Sequence, residues 1–276
     1  MKTWFITGIS RGLGLSLAKA AVAAGDTVIG TVRGGKPEIA GGPGRLHVLA
    51  LDLATPGAAA TAVAEAFKLA PRIDVIVNNA GYGLLGALEQ ATDAEIDRLF
   101  AVDVFGPVNI IRAALPHLRA QGGGHIINVT SIAGRAPGAG SALYSAAKAA
   151  LEGLSASLVH ELTPLGIKVT AVAPGAFRTD FLSAHSIRKS AAPGDAYAAS
   201  IGRSDAAFDA MAGKQLGDPD KAAAAILEIA AAENPPLHLL LGSDALRRGR
   251  EKLDAVIDEI DRWEALSRGT DHAPGA

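Results

Sequence analysis

A doubly wound α/β fold, with seven parallel strands and helices on both faces, is what this sequence predicts. Three observations predict it. Seven short apolar runs recur along the chain, amphipathic stretches separate most of them, and a turn holding Gly8, Gly12 and Gly14 joins the first run to the first helix. The runs are Trp4–Thr7, Thr27–Val32, Leu46–Leu51, Ile73–Asn78, Ile126–Thr130, Ile167–Val172 and Leu237–Leu241. They are apolar throughout rather than alternating, as strands buried on both faces are.

The intervening segments repeat at helical spacing. Leu13, Leu17, Ala20 and Ala24 form one stripe; Val104, Val108, Ile111 and Leu115 form another; Leu151, Leu154, Leu158 and Leu162 form a third. Strand–helix alternation with right-handed crossovers gives the doubly wound sheet. The chain shows no internal repeat and no charged or proline-rich linker, so residues 1–276 read as a single domain.

Two regions depart from the alternation. Residues 180–217 are rich in Ala, Ser and Gly, with Phe181, Tyr197, Phe208 and Met211 as their large apolar or aromatic anchors. A long insertion after a strand reads as a substrate lid or as a variable surface excursion. Residues 244–268 read as a terminal helix with Leu253, Ile257, Ile260 and Leu266 turned inward for packing.

Composition removes several classes of function. Lys and Arg total 26 against 28 Asp and Glu, a net charge of −2, so the electrostatic case for nucleic acid or an anionic membrane is missing. With 0 Cys there is no disulfide, thiolate nucleophile or cysteine zinc site. The histidines are scattered without metal-ligand spacing, so no metal is expected. The first residues lack the apolar run of a signal peptide, and no stretch approaches a membrane span. The expectation is a soluble cytoplasmic chain.

The glycine turn carries the first chemical signal. In Thr7-Gly8-Ile9-Ser10-Arg11-Gly12-Leu13-Gly14, Gly8 permits the tight turn, Gly12 lets backbone approach a pyrophosphate, and Gly14 lets helix and strand pack closely. The helix N-terminus offers free N–H groups to the phosphate. The same residues fit the G-x-S-x-G elbow of hydrolases, but on the first strand and without an evident acid and histidine to complete it. For the cofactor's identity, the end of the second strand decides. An acid there would bind a ribose 2′-hydroxyl, but Asp26 is at the wrong end and Arg33 holds the position. Arg33 together with Arg11 favours a 2′-phosphate, hence NADP(H); both also read as solvated surface arginines.

The second signal is a serine, a tyrosine and a lysine. Ser131 closes the fifth run, and Tyr144 and Lys148 stand at i and i+4 of a helix, on one face. A phenol near ~10 is a poor acid–base group at neutral pH. A neighbouring ammonium and a cationic nicotinamide favour the phenolate. Ser131 can hydrogen-bond a substrate oxygen as charge develops.

These pieces resemble the short-chain dehydrogenase/reductase family, whose fold is a single-domain Rossmann type. The matches are Thr7-Gly8-x-x-x-Gly12-x-Gly14, Asp52-Leu53, Asn78-Asn79-Ala80-Gly81, Ser131, Tyr144-x-x-x-Lys148 and Pro174-Gly175, in the family's order. The resemblance implies that Tyr144 is the general acid in reduction and the base in oxidation. It implies that Lys148 binds the nicotinamide ribose and tunes Tyr144, while Ser131 orients the carbonyl. Asp52 would bond the adenine with Leu53 beside it. Asn79, Ala80 and Gly81 would shape the cofactor cleft, with Asn79 also supporting the sheet centre. Pro174, Gly175 and Thr179 would contact the nicotinamide end.

One position departs from the family. Asp103, in Val102-Asp103-Val104-Phe105-Gly106, stands where relatives carry an asparagine that holds a water in a proton relay to the lysine. An ionised carboxylate near Lys148 would oppose its effect on Tyr144, giving a slower relay or a more alkaline optimum, unless Asp103 faces solvent or pairs elsewhere.

The reading is an NADP-dependent oxidoreductase acting on an alcohol or carbonyl, a hydrophobic small molecule taken up by residues 82–88, 135–140 and 181–211. A cofactor-retaining epimerase or dehydratase, and a non-catalytic NADP-binding sensor or scaffold, are the alternatives. A homodimer or homotetramer through the helices near Val104–Leu115 and Leu151–Leu162 is open, as is plain core packing of their stripes.

Overall fold

The computed structural model describes residues 1–35, 37–182, 186–191, 194–211 and 213–272. Seven strands form one parallel sheet: β1 (Thr3–Ile6), β2 (Thr27–Val32), β3 (Arg45–Ala50), β4 (Val75–Asn78), β6 (Gly124–Val129), β7 (Ile167–Pro174) and β9 (His238–Leu241). Their order is β3-β2-β1-β4-β6-β7-β9. The order reverses between β1 and β4, and the first crevice for a ligand opens there, outside the carboxyl ends of the strands.

Side-chain alternation in the central strands feeds two cores. Phe5, Ile29, Ile76, Ile126 and Val169 pack on one face against α2 (Ala58–Leu69), α4 (Gly106–Ala120) and α5 (Ala142–Leu162). Trp4, Ile6, Val28, Val75, Val77, Ile127 and Val172 pack on the other, against α1 (Gly12–Ala23) and α7 (Pro219–Ala231). Burying each such side chain contributes roughly 1.5–3 kcal/mol. Continuous burial fails at the two edge strands, where β3 alternates between half-buried and exposed residues and β9 is only half-buried. An edge strand lacks a neighbour on one side, and these two are the least covered.

Between β4 and β6 the chain forms a further strand β5 (Gly83–Leu85) and a long helical run of α3 (Asp93–Phe100), a π-turn (Ala101–Phe105) and α4. The run Asp93–Ala120 is long and apolar enough to cross a membrane, which the sequence reading did not anticipate. Here its apolar residues Leu99, Ile110, Ile111, Ala114 and Leu118 are buried in the protein. On α4 the stripe is centred on Ile110, Ile111, Ala114 and Leu118, while Val108 and Leu115 of the expected stripe are half-buried at its margin and Val104 lies in the π-turn.

The expected insertion at 180–217 falls partly outside the described residues. Its described part is not patternless. β8 (Ile187–Lys189) pairs in parallel with β5, and α6 (Arg203–Met211) follows. Among its described residues Ile201 and Gln215 are buried, neither of them an expected anchor, and Ile201 lies against Gly140. The insertion is closed at its base where Arg178 N donates to Gly217 O at 2.8 Å and Gly217 N to Ala176 O at 3.0 Å. The last helix, α8 (Ser243–Arg268), corrects a second expectation. Leu253, Ile257, Ile260 and Leu266 are not inward but 64%, 54%, 61% and 66% exposed. At ~100° per residue Leu266 also falls off the stripe that the other three share.

Candidate active site

The loops after β1, β2, β4, β6 and β7 converge on one cleft of about 960 Å³ at the carboxyl edge of the sheet. At one end lies the glycine turn. Gly8 and Gly12 have φ of +75° and +57°, values that L side chains rarely adopt. Gly14 packs so closely against Gly8 O and the Asn79 amide that a Cβ there would collide with both. Arg11 occupies the N-cap position of α1 without a side-chain capping bond, with Ser10 and Leu13 beside it on the cleft wall.

Hydrogen bonds hold the glycine turn to the neighbouring strand. The Thr7 hydroxyl accepts from Asn79 N and Ala80 N, both at 3.0 Å. Asn79 Nδ2 donates to Thr7 O and Gly8 O at 2.9 and 3.0 Å. Asn79 therefore braces the glycine turn and does not support the sheet centre. That role falls to its neighbour: Asn78 Nδ2 donates to Asn128 Oδ1, and Asn128 Nδ2 to Ser155 Oγ, both at 2.8 Å. This buried chain ties β4, β6 and α5 together.

Arg33 is exposed at the end of β2 and lines the same cleft, as do Asp52 and Leu53 after β3. Arg11 and Arg33 have no carboxylate partner among the described residues. Asp52 accepts from Ala54 N at 3.0 Å and faces Arg98 at 3.5 Å, a contact the sequence reading missed. Leu53 packs over Gly106, the first residue of α4.

At the other end, Tyr144, Lys148 and Ser131 meet. Tyr144 and Lys148 project from the first turns of α5, and Lys148 Nζ lies 5.7 Å from the tyrosine ring centre. Ser131 caps a short turn after β6, accepting from Ala133 N at 3.1 Å, and lines the cleft together with Tyr144. Lys148 Nζ donates to Val129 O at 3.3 Å and lies 3.1 Å from Asp103 Oδ2.

Asp103 does not face solvent. It is fully buried beneath the cleft in the π-turn, and its Oδ1 accepts from Tyr82 N at 3.1 Å. Gly81 is the residue that makes room: a Cβ there would stand 2.8 Å from Asp103 Oδ2 and 3.1 Å from Lys148 Nζ.

These charges set the acid–base behaviour of the pair. Burial raises the Tyr144 phenol above its ordinary value, with Lys148 and Ser131 pulling it down and Asp103 pushing it further up. Burial likewise raises the Asp103 carboxyl against the pull of Lys148. For Lys148, burial acts downward, yet Asp103 and Tyr144 together hold the ammonium above its ordinary value. The sequence reading expected the ammonium to make the phenol more acidic; within the protein alone, burial outweighs it.

The remaining expected residues lie between the two ends. Pro174 and Gly175 end β7 on the cleft, and the loop after them is tied to α8, where Asp244 accepts from Ala176 N at 2.8 Å. Thr179 stands opposite Gly12, close to van der Waals distance of where its Cβ would be, and accepts from Phe181 N at 3.2 Å. It is thus beside the glycine turn. Of residues 135–140 only Gly138 and Ala139 line the cleft. Arg135 turns away to pair with Glu152 at 2.9 Å, in a buried group that includes Thr130 and reaches His238. Glu152 stands one turn beyond Lys148, but no motif marked it.

A parallel seven-stranded sheet with a glycine turn at its switch point and a Ser–Tyr–Lys group at the same edge defines a class of dinucleotide-dependent oxidoreductases. Over residues 2–190 the sequence matches the family model for short chain dehydrogenases, and the chain belongs to that family. It is 36% identical over 275 residues to an oxidoreductase of Botryotinia fuckeliana, covering 96% of this chain and 98% of that one. A short-chain dehydrogenase from Streptomyces avermitilis is 41% identical, with a TM-score of 0.88 over 98% of this chain and 100% of that one. A metagenomic short-chain oxidoreductase solved with NADP is 28% identical, with a TM-score of 0.66 over 87% and 96% of the two chains.

Proposed function

We propose that this oxidoreductase uses NADP(H) to interconvert an alcohol and a carbonyl on a hydrophobic small molecule, with Tyr144 moving the proton. The observation that carries the reading is a single continuous cleft. It has two arginines without carboxylate partners at one end and the Ser131–Tyr144–Lys148 group at the other. The glycine turn fits a dinucleotide, since Gly8 and Gly12 hold the positive φ that brings backbone, free of side chains, to the cleft wall.

The residues that would hold the cofactor are the turn from Gly8 to Gly14, Thr179 opposite it, Arg11 and Arg33 at the 2′-phosphate, and Asp52 and Leu53 at the adenine. The stretch from Asn79 to Gly81 and the pair Pro174 and Gly175 would line the rest, with Lys148 at the ribose. When bound, the nicotinamide supplies or accepts the hydride. Tyr144 Oη gives its proton to the substrate oxygen in reduction and takes it back in oxidation, while the Ser131 hydroxyl donates to that oxygen as charge develops. Lys148 stabilises the phenolate, and the charge of an oxidised nicotinamide adds to it. Asp103 anchors Lys148 and opposes it electrostatically.

Tyr82, Leu85, Phe181, Ile187, Phe208 and Met211 line the cleft beyond Tyr144, which favours an apolar substrate. The Phe181 ring lies 6.0 Å from that of Tyr144, and the described residues of the insertion that line the cleft, among them Phe181, Ile187, Phe208 and Met211, form the lid over the substrate.

The test is oxidation of NADPH and NADH against a panel of ketones and aldehydes. NADPH is expected to be preferred by about 10- to 100-fold in kcat/KM, and Arg11→Ala/Arg33→Ala to abolish the preference by weakening NADPH alone. Equal use of both cofactors by the wild type removes the NADP assignment; turnover of small charged acids alone removes the substrate class.

A further inference from the structure

α8 has two parts. Its start lies on the body of the protein, with Ala245 and Gly249 buried and Leu240 of β9 beneath Gly249. From Arg250 to Arg268 every residue but the half-buried Val256 is exposed, a projection of roughly 28 Å. An isolated helix of this length has little stability of its own in water. Yet Leu246, Leu253, Ile257, Ile260 and Trp263 are all exposed, and with Val256 they fall within one arc of about 120°. A stripe of this kind marks a surface that something covers.

The charges beside the stripe select what covers it. On one flank Arg250 is followed by Asp254 and Asp261; on the other Lys252 is followed by Glu259. None of these five has an ion-pair partner among the described residues. Between Arg250 and Asp261 both flanks therefore run from basic to acidic in the same direction; beyond them Glu264, which falls within the apolar arc, and Arg268, on the first flank, pair with each other at 2.7 Å. Two such helices packed antiparallel about a two-fold axis set each flank against its own reverse, so basic meets acidic on both sides. With the axis level with Ala255, Arg250 lies opposite Asp261 of the other copy, Lys252 opposite Glu259, and Leu253 opposite Ile257. Parallel packing would set like charges together. An anionic lipid surface would meet Asp258, Glu259, Asp261 and Glu264 near Trp263.

We propose that α8 is a dimerisation arm, pairing antiparallel with α8 of a second copy of this chain. This is separate from the stripes of α4 and α5, where Ile111, Leu151, Leu158 and Leu162 are buried and Val104, Val108, Leu115 and Leu154 half-buried. The partner is recognised by the apolar stripe and oriented by the two charged flanks. Interfaces of this kind are self-complementary.

Sedimentation velocity on the full-length protein tests the arm. Wild type is expected to sediment as an even-numbered assembly, and Ile257→Asp/Ile260→Asp to halve its mass. The variant's circular-dichroism melt should keep its midpoint, because both side chains are exposed. Arg250→Glu/Lys252→Glu should weaken association by about tenfold or more, and adding Glu259→Lys/Asp261→Lys should restore it. Wild type that is monomeric at about 100 µM overturns the proposal. So does a mass that the isoleucine variant leaves unchanged, or a charge exchange that fails to restore pairing. A monomer whose Trp263 fluorescence shifts on phosphatidylcholine–phosphatidylserine vesicles gives the stripe to lipid and overturns it as well.

Discussion

At the amino edge of the sheet, Asp26 accepts from Lys2 N and from the Trp4 indole, both at 2.8 Å. Asp74 accepts from Thr3 N at 2.8 Å and pairs with Arg72 at 2.7 Å. Gln121 Nε2 donates to Ile73 O and Gly123 O at 2.8 and 2.7 Å. These polar groups at the amino edge answer one another. At the carboxyl edge, Arg11 and Arg33 have no such partner among the described residues, the Tyr144 phenol opens on the cleft, and Lys148 is paired with a buried acid. One edge closes the fold and the other is built for something that arrives. Asp26 and Arg33, at opposite ends of the same strand, show the difference in six residues.

The contrast predicts that the two edges fail differently. The largest effect is expected from Tyr144→Phe. It should lower kcat by about 10³-fold, about 4 kcal/mol, with little change in melting temperature. A comparable loss of stability would mean that the phenol belongs to the fold. Next, Asp26→Ala should cost about 3–4 kcal/mol in urea unfolding by stranding the buried Trp4 N–H, while kcat/KM stays near wild type.

A smaller effect concerns His125, buried at the amino end of β6. Burial first, then Lys168 and Lys2, lower its pKa from 6.5 to about 4. Its Nε2 lies 2.9 Å from the Thr170 hydroxyl, which itself donates to Pro236 O at 2.8 Å, so Nε2 carries the hydrogen and the partnerless Nδ1 is the site that would have to be protonated. The unfolded chain takes up that proton first. Stability is therefore present above pH 6.5 and is lost as pH falls towards 4, by roughly 2–3 kcal/mol. His125→Leu should flatten that part of the curve.

The smallest effect is at the carboxyl edge. Asp103 raises the Tyr144 phenol, so Asp103→Asn should favour the phenolate and move the rising limb of kcat/KM for alcohol oxidation to lower pH. Superimposable profiles would show that the carboxylate is not felt at Tyr144.

What the sequence made legible follows from which signals are local. Thr27–Val32 is read to the residue because an apolar run between a glycine–aspartate turn and an arginine has one interpretation. The glycine turn and the Tyr144–Lys148 pair are legible because backbone sterics and helix period dictate their spacing. Distant pairings are not written that way. Nothing local says that Gly83–Leu85 pairs with Ile187–Lys189, that Glu152 meets Arg135, or that Thr179 faces Gly12. α8 shows the same limit in reverse. Its stripe was plain in the sequence, but periodicity states that a face is apolar and not which molecule covers it.

The π-turn at Ala101–Phe105 has a consequence for how this protein can change. The extra residue in that turn both directs Asp103 inward and sets the rotation of α4, which places Ile110 and Ile111 against the sheet. Removing one residue would restore regular winding and turn the rest of the helix by ~100°, bringing its hydrophilic side under the strands. Point substitution is therefore open to evolution at Asp103, whereas a one-codon deletion in the same turn would sacrifice fold and chemistry together.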